Sequence, residues 1–189
     1  MEYLAKLGCL NERTVAVHCV ALSDHDIELL AESGASVVHC PVSNMRLGCG
    51  ASPVVKLLKA GINVALGTDG AASACSLSMF EQMRTAGLIA KGFSQDPTQL
   101  TVNQIIRMAT INGANALKLD REVGSLAVGK SADLAAIDMS QLVTMPVLDV
   151  FSNVIYAVEA QCIHQVWASG CLVANIQQEK LLRPDRGKL

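Results

Sequence analysis

A chain of 189 residues that is 51% hydrophobic is long and apolar enough to bury a real core, which excludes a disordered segment. Its formal net charge of −2 offers no broad attraction to nucleic acid or to an anionic membrane surface, so the expected partner is a small neutral molecule. Aromatic residues make up only 3% of the chain, and a core of Ala, Val, Leu and Ile suits a buried parallel sheet better than a sandwich of aromatic strands.

In chain order, residues 3–7 read as the last turn of a helix stopped by Gly8, a residue suited to a left-handed cap. The apolar run Thr14-Val-Ala-Val-His18 predicts a strand that ends in histidine. Ser23-Asp-His-Asp supplies a cap and first-turn acids to a helix through Ile27, Leu29 and Leu30, closed by Gly34. Ala35-Ser-Val-Val-His39 is a second strand with a histidine tip, and residues 41–50, bounded by Pro and Gly, read as a loop. Pro53 opens a helix to Gly61, and Val64-Ala-Leu-Gly-Thr-Asp-Gly70 is a third apolar run, ending in a carboxylate beside glycine. Strand, helix, strand, helix, strand with short connections predicts parallel βα units.

Downstream, residues 77–91 form an amphipathic helix and residues 101–117 another, capped by Thr101. From Gly124 the texture changes to short strands at 124–130, 132–138, 154–158 and 162–174, the last folded at Ser169-Gly170. The expected organisation is α/β: barrel-type units over residues 1–120, a small β subdomain over 121–176, and a polar tail at 177–189.

Seven cysteines, at 9, 19, 40, 49, 75, 162 and 171, contain no CxxC pair and read as small buried hydrophobes in a reducing compartment. Met1 is followed by neither a basic nor an apolar leader segment, and nowhere do eighteen apolar residues run together. A cytoplasmic protein without a membrane partner is expected.

Titratable tips on three parallel strands point to one shared rim, because an α/β barrel presents its chemistry at the C-terminal ends of its strands. Asp69 is the first catalytic and metal-ligating candidate, His18 the second catalytic candidate, and His39 a candidate for binding substrate at the same mouth. His39-Cys-Pro-Val-Ser-Asn-Met-Arg-Leu-Gly48, Leu66-Gly-Thr-Asp-Gly-Ala-Ala-Ser73 and Gly124-Ser-Leu-Ala-Val-Gly-Lys-Ser-Ala-Asp-Leu134, in that order, closely resemble the amidohydrolase superfamily. The nearest likeness is to the branch of 5-methylthioadenosine/S-adenosylhomocysteine deaminases, with guanine deaminases and triazine hydrolases as relatives. Thr144-Met-Pro-Val-Leu-Asp149 and Val154-Ile-Tyr-Ala157 favour the first of these.

The resemblance implies a (β/α)8 TIM-type barrel with one divalent metal, zinc being the expected one, and a β-sandwich assembled from both chain ends. It matches Asp69 to the metal-binding aspartate of the eighth strand and His18 to the histidine of the sixth, which touches the reactive water. The likeness lacks two parts: no His-x-His occurs in this sequence, and no His-x-x-Glu precedes His18. The chain thus reads as the C-terminal part of a barrel, strands 6–8 with their helices, plus most of a small β-sandwich. Its remaining metal ligands would lie in a missing N-terminal half.

The implied chemistry is hydrolytic deamination of an adenine nucleoside carrying a 5′ thioether, with Asp69 as ligand and proton acceptor and His18 holding the water. The isolated fragment is expected to be inactive. Alternatives are a guanine, cytosine or triazine aminohydrolase, or a non-catalytic remnant whose open strand edge invites a partner chain or a second copy. A doubly wound nucleotide-binding domain would need a GxGxxG or P-loop pattern that the chain lacks.

Plainer roles suit the other polar residues: Ser43 and Asn44 as architects of the 41–50 loop, Arg46 facing water, and His25 solvated at a helix start. His164 reads as structural, Met79 and Met83 as core, and Cys75 as unreactive for want of a paired base.

Overall fold

The computed structural model describes residues 1–175, and the tail expected at 177–189 lies outside them. It divides into two compact units, Met1–Ser125 and a second beginning at Leu126.

The first unit opens with α1 (Glu2–Lys6) and β1 (Val15–Val17). The Ser23 hydroxyl accepts the Asp26 N–H while the Asp26 carboxylate accepts the Ser23 N–H, a complete capping box that starts α2 (Asp24–Ser33). Gly34, at φ +69°, ends it in the left-handed conformation that glycine adopts without strain. After β2 (Ser36–His39), residues 41–46 form α3 (Pro41–Arg46) where a loop is expected from the sequence. Proline at the first helical position gives up an N–H that would have had no partner anyway, so Pro41 starts this helix rather than breaking it.

Next come α4 (Val54–Lys59), β3 (Asn63–Leu66), α5 (Ala71–Ala74) and α6 (Met79–Ser94). The stretch expected as one helix over 101–117 is two, α7 (Val102–Ala109) and α8 (Ile111–Ala116). Thr110 leaves helical geometry (φ −131°, ψ −98°) with its hydroxyl donating to the Ile106 carbonyl at 2.7 Å, and the helix axis breaks there.

The three strands form a parallel sheet in the order β1-β2-β3, with Val15 opposite Ser36 and Val37 opposite Val64. Helices cover the sheet, and Leu30, Val37, Leu57, Val64 and Ile105 are fully buried between them. Asn112 clamps α8 to β3 by donating to the Val64 carbonyl at 2.8 Å, while Asn63 returns a hydrogen bond to the Asn112 carbonyl at 3.0 Å.

The second unit holds β4 (Leu134–Ile137), α9 (Val150–Tyr156), β5 (Ile163–Ala168) and β6 (Cys171–Asn175), its strands antiparallel in the order β4-β5-β6. Ser169 and Gly170, both at positive φ, make the hairpin turn expected at that dipeptide. Two expectations fail here. Residues 124–130 form turns rather than a strand, and residues 154–158 fall mostly within α9. Asp149 accepts the Ser152 N–H at 2.9 Å and so caps a helix whose β-branched residues alone suggest a strand. Ile155, Val158 and Cys162 are its buried centre.

The cysteines split against expectation: Cys19, Cys40 and Cys162 are buried, but Cys9, Cys49, Cys75 and Cys171 are exposed, and none is in a disulfide. Among the described residues no helix is long and apolar enough to cross a membrane.

Candidate active site

At the C-terminal ends of β1 and β3 the backbone takes an unusual form. His18 (φ +70°), Cys19 (φ +48°) and Asp69 (φ +58°) are all left-handed, a conformation disfavoured for side chains with a β-carbon and concentrated at functional sites. The His18 N–H donates to the Val38 carbonyl at 2.9 Å, which fixes where the residue leaves the sheet.

Both residues are held by α3. The Ser43 hydroxyl donates to Asp69 Oδ2 at 2.6 Å, and Asn44 Oδ1 lies 2.8 Å from His18 Nδ1. The other carboxylate oxygen, Asp69 Oδ1, accepts the Gly70 N–H at 2.7 Å. Ser43 and Asn44 are almost completely buried. These hydrogen bonds, the Ser43 hydroxyl first and the Gly70 N–H next, hold the Asp69 carboxyl below the usual carboxylate range, and the charge of His18 acts in the same sense. Asp69 and His18 are thus held by adjacent residues of one helix, Ser43 and Asn44.

Arg46 does not face water alone. Its Nη1 donates to the Ala72 and Ser73 carbonyls at 2.8 and 2.7 Å, tying α3 to α5, directly after Asp69. Ser43, Asn44 and Arg46 thus contact the candidate residues or the segment after them, which a reading of 41–50 as loop passes over. Their signal in the sequence is only their place immediately after a strand with a titratable tip.

His39 does not join the rim as expected. A β-carbon placed on Gly67 would come within 2.7 Å of Val38 Cγ1 and 3.2 Å of Cys40 Sγ, so the residues flanking His39 face Gly67. Alternation then turns the His39 ring to the opposite side of the sheet. There it lines a cavity of about 250 Å³ with Ser52, Val54, Ala86 and Phe93, a lining that includes neither His18 nor Asp69. Burial, with a smaller contribution from His18, lowers its pKa to about 4. Burial, and then the negative charge of Asp69, pushes the Cys40 thiol up to about 11.

The remaining candidates lie elsewhere. His25 is exposed, 3.4 Å from Glu28; His164 is half-buried in β5; Cys75 is exposed; Met83 is buried on α6 and Met79 half-buried at its start.

Among the described residues no group of three or more His, Cys, Asp or Glu side chains is placed to hold a metal ion. One carboxylate and one imidazole fall short of the three or four donors of a protein zinc site. By themselves these residues do not fit a metal.

Comparison with known proteins gives this geometry a family. The chain is 47% identical over 177 residues to the 5-methylthioadenosine/S-adenosylhomocysteine deaminase of Moorella thermoacetica, a match covering 94% of this chain and 41% of that protein. It is 46% identical over 157 residues to the 5′-deoxyadenosine deaminase of Methanosarcina mazei, covering 83% of this chain and 36% of that one. Among solved structures, an adenosine deaminase from Xanthomonas campestris with bound zinc superposes with a TM-score of 0.88 at 43% identity, over 90% of this chain and 39% of that chain. The atrazine chlorohydrolase of Arthrobacter aurescens TC1, complexed with zinc, gives 0.84 at 25% identity, over 95% and 42%. The chain therefore spans about two fifths of the length of these relatives. Since the model of the amidohydrolase family matches residues 1–173, the chain belongs to that family.

Proposed function

We propose that this chain is the C-terminal part of a (β/α)8 barrel, with β1–β3 as strands 6–8, joined to part of a β-sandwich, and that it serves the hydrolytic deamination of an adenine nucleoside with a 5′ thioether. The barrel part is residues 1–120 and the sandwich part residues 121–176. The observation that carries the reading is the pair of left-handed strand-end residues, His18 and Asp69, each braced by a neighbouring side chain of α3. The name of the Moorella relative supplies the thioether nucleoside, and that of the Methanosarcina relative, a 5′-deoxyadenosine deaminase, supports an adenine nucleoside altered at the 5′ carbon.

In the reaction the water oxygen bonds to C6 of the adenine, one water proton ends on N1 of the ring and the other on the amino nitrogen, and the C6–N bond breaks to release ammonia. Asp69 accepts a proton from that water as the ionised carboxylate; the hydrogen bonds from Ser43 and Gly70 orient it and, by lowering its pKa, also make it the weaker base. His18, on the other side of the water, fixes its direction of approach. A divalent metal, zinc in this proposal, requires Asp69 together with donors from polypeptide outside this sequence. The chain alone is accordingly expected to bind far less than one equivalent of zinc and to show no turnover.

The test is a chimaera in which this chain replaces the matching segment of the Moorella deaminase, assayed for ammonia release from 5′-methylthioadenosine, S-adenosylhomocysteine and guanine. Release from the two thioether nucleosides is expected, with a loss of about 10³-fold in the Asp69→Asn variant. Release from guanine alone refutes the substrate, and full activity of Asp69→Asn refutes the site.

A further inference from the structure

We infer that Asn44 and Ser43 are positioning residues: Asn44 locks His18 in its Nδ1–H tautomer, and Ser43 fixes which way the Asp69 carboxylate faces. The inference rests on the proposed roles of His18 and Asp69.

The geometry follows from strand order. The helix α3 grows directly out of β2, the middle strand of β1-β2-β3, so it sits astride the sheet with β1 on one side and β3 on the other. Successive residues of a helix point about 100° apart. Ser43 therefore reaches the end of β3 while Asn44 reaches the end of β1, and two adjacent positions serve two strand tips. Pro41 sets the start of this helix and Arg46 pins its end to the Ala72 and Ser73 carbonyls.

The chemistry follows from the atoms. An amide oxygen only accepts hydrogen bonds, so the His18 nitrogen 2.8 Å from Asn44 Oδ1 is the one that carries the proton. In a neutral imidazole the other nitrogen, Nε2, then holds a lone pair. Unconstrained histidine favours the reverse tautomer, so the choice is imposed. Asn44 is 1% exposed, and its Nδ2 is buried with no hydrogen-bond partner. The reverse orientation of the amide would place Nδ2 on the ring and demand Nε2–H.

For catalysis, a neutral His18 locked in this way offers the water an acceptor at Nε2 and has no proton there to donate until it has taken one up. Ser43 complements it. With Ser43 donating at Oδ2 and the Gly70 N–H at Oδ1, the carboxylate cannot rotate freely.

The test reads the ring directly, by long-range ¹⁵N–¹H correlation of His18 in the full 189-residue chain labelled at histidine, at mildly alkaline pH. The expected result is a protonated Nδ1 and an unprotonated Nε2. Asn44→Leu, which removes the acceptor, shifts the ring to Nε2–H, while Asn44→Asp restores an acceptor and keeps Nδ1–H; Ser43→Ala leaves the tautomer unchanged. Nε2–H in the wild-type chain or in Asn44→Asp overturns the inference, and so does an unchanged ring in a folded Asn44→Leu. In the Moorella chimaera, Asn44→Leu lowers kcat about 10- to 100-fold with little change in KM, and Asn44→Asp recovers most of the loss. A wild-type chimaera without turnover whose His18 ring still carries Nδ1–H refutes the deaminase reading and supports the tautomer lock.

Discussion

His39 shows how a strand-end histidine is diverted from the rim. Val38 and Cys40 pack toward Gly67, the ring between them goes to the helix side, and burial there lowers its pKa to about 4. In an unfolded chain the same ring titrates near about 6.5. Between those values the unfolded state binds a proton that the folded state refuses. The stabilisation from a neutral His39 is therefore complete above about pH 6.5 and is lost as pH falls toward 4, a change on the order of 3 kcal/mol. Urea midpoints measured at pH 7 and at pH 4.5 should show the decline. A His39→Asn chain should lose most of the slope across that window, whatever its absolute stability, and an unchanged slope would refute the assignment. Asp69 adds a loss at lower pH, because its folded-state value is depressed below that of a free carboxyl and protonation breaks its hydrogen bonds to Ser43 and Gly70.

Among the elements, α2 has the most local set of instructions. Ser23 and Asp26 exchange backbone and side-chain hydrogen bonds within one turn, and Asp26 also accepts from the Met1 ammonium at 2.9 Å. Ser23→Ala removes the hydroxyl half of this box and should cost about 1 kcal/mol, read as a lower urea midpoint with unchanged m-value. Such a helix is legible in the sequence because its cap, first-turn acids and terminal glycine all lie within its own length. The helix α3 is not, since Pro41 and the glycines near 48–50 look like a loop until the proline is seen to occupy the first helical position. The helix α9 is hidden in the same way by Val154 and Ile155, whose strand preference yields to a cap at Asp149. In the candidate site, the places of Asp69 and His18 just beyond β3 and β1 were legible as polar ends of apolar runs. Their bonds to Ser43 and Asn44 were not, because those depend on β2 lying between β1 and β3, which no local pattern encodes.

Across the whole molecule the seven thiols report which surfaces are closed. Composition alone treats every cysteine as a small core residue, yet the fold buries three and exposes four. Reaction with an alkylating agent requires the thiolate, so both access and acidity count. Burial raises the pKa of Cys19, and Cys40 is raised to about 11 by burial and by the nearby charge of Asp69, which opposes a second negative charge beside it. Cys162 is fully buried in the second unit. Brief treatment of the native chain with iodoacetamide at neutral pH, followed by peptide mass analysis, should therefore modify Cys9, Cys49, Cys75 and Cys171, whereas treatment in denaturant modifies all seven. Neutralising Asp69 as Asp69→Asn removes one of the two causes of the raised Cys40 value, so in that variant Cys40 should react faster while Cys162, remote in sequence from that charge, keeps its wild-type rate. Equal acceleration at both positions would mean that the substitution had loosened the fold at large and that the charge at residue 69 had not been acting on its neighbour.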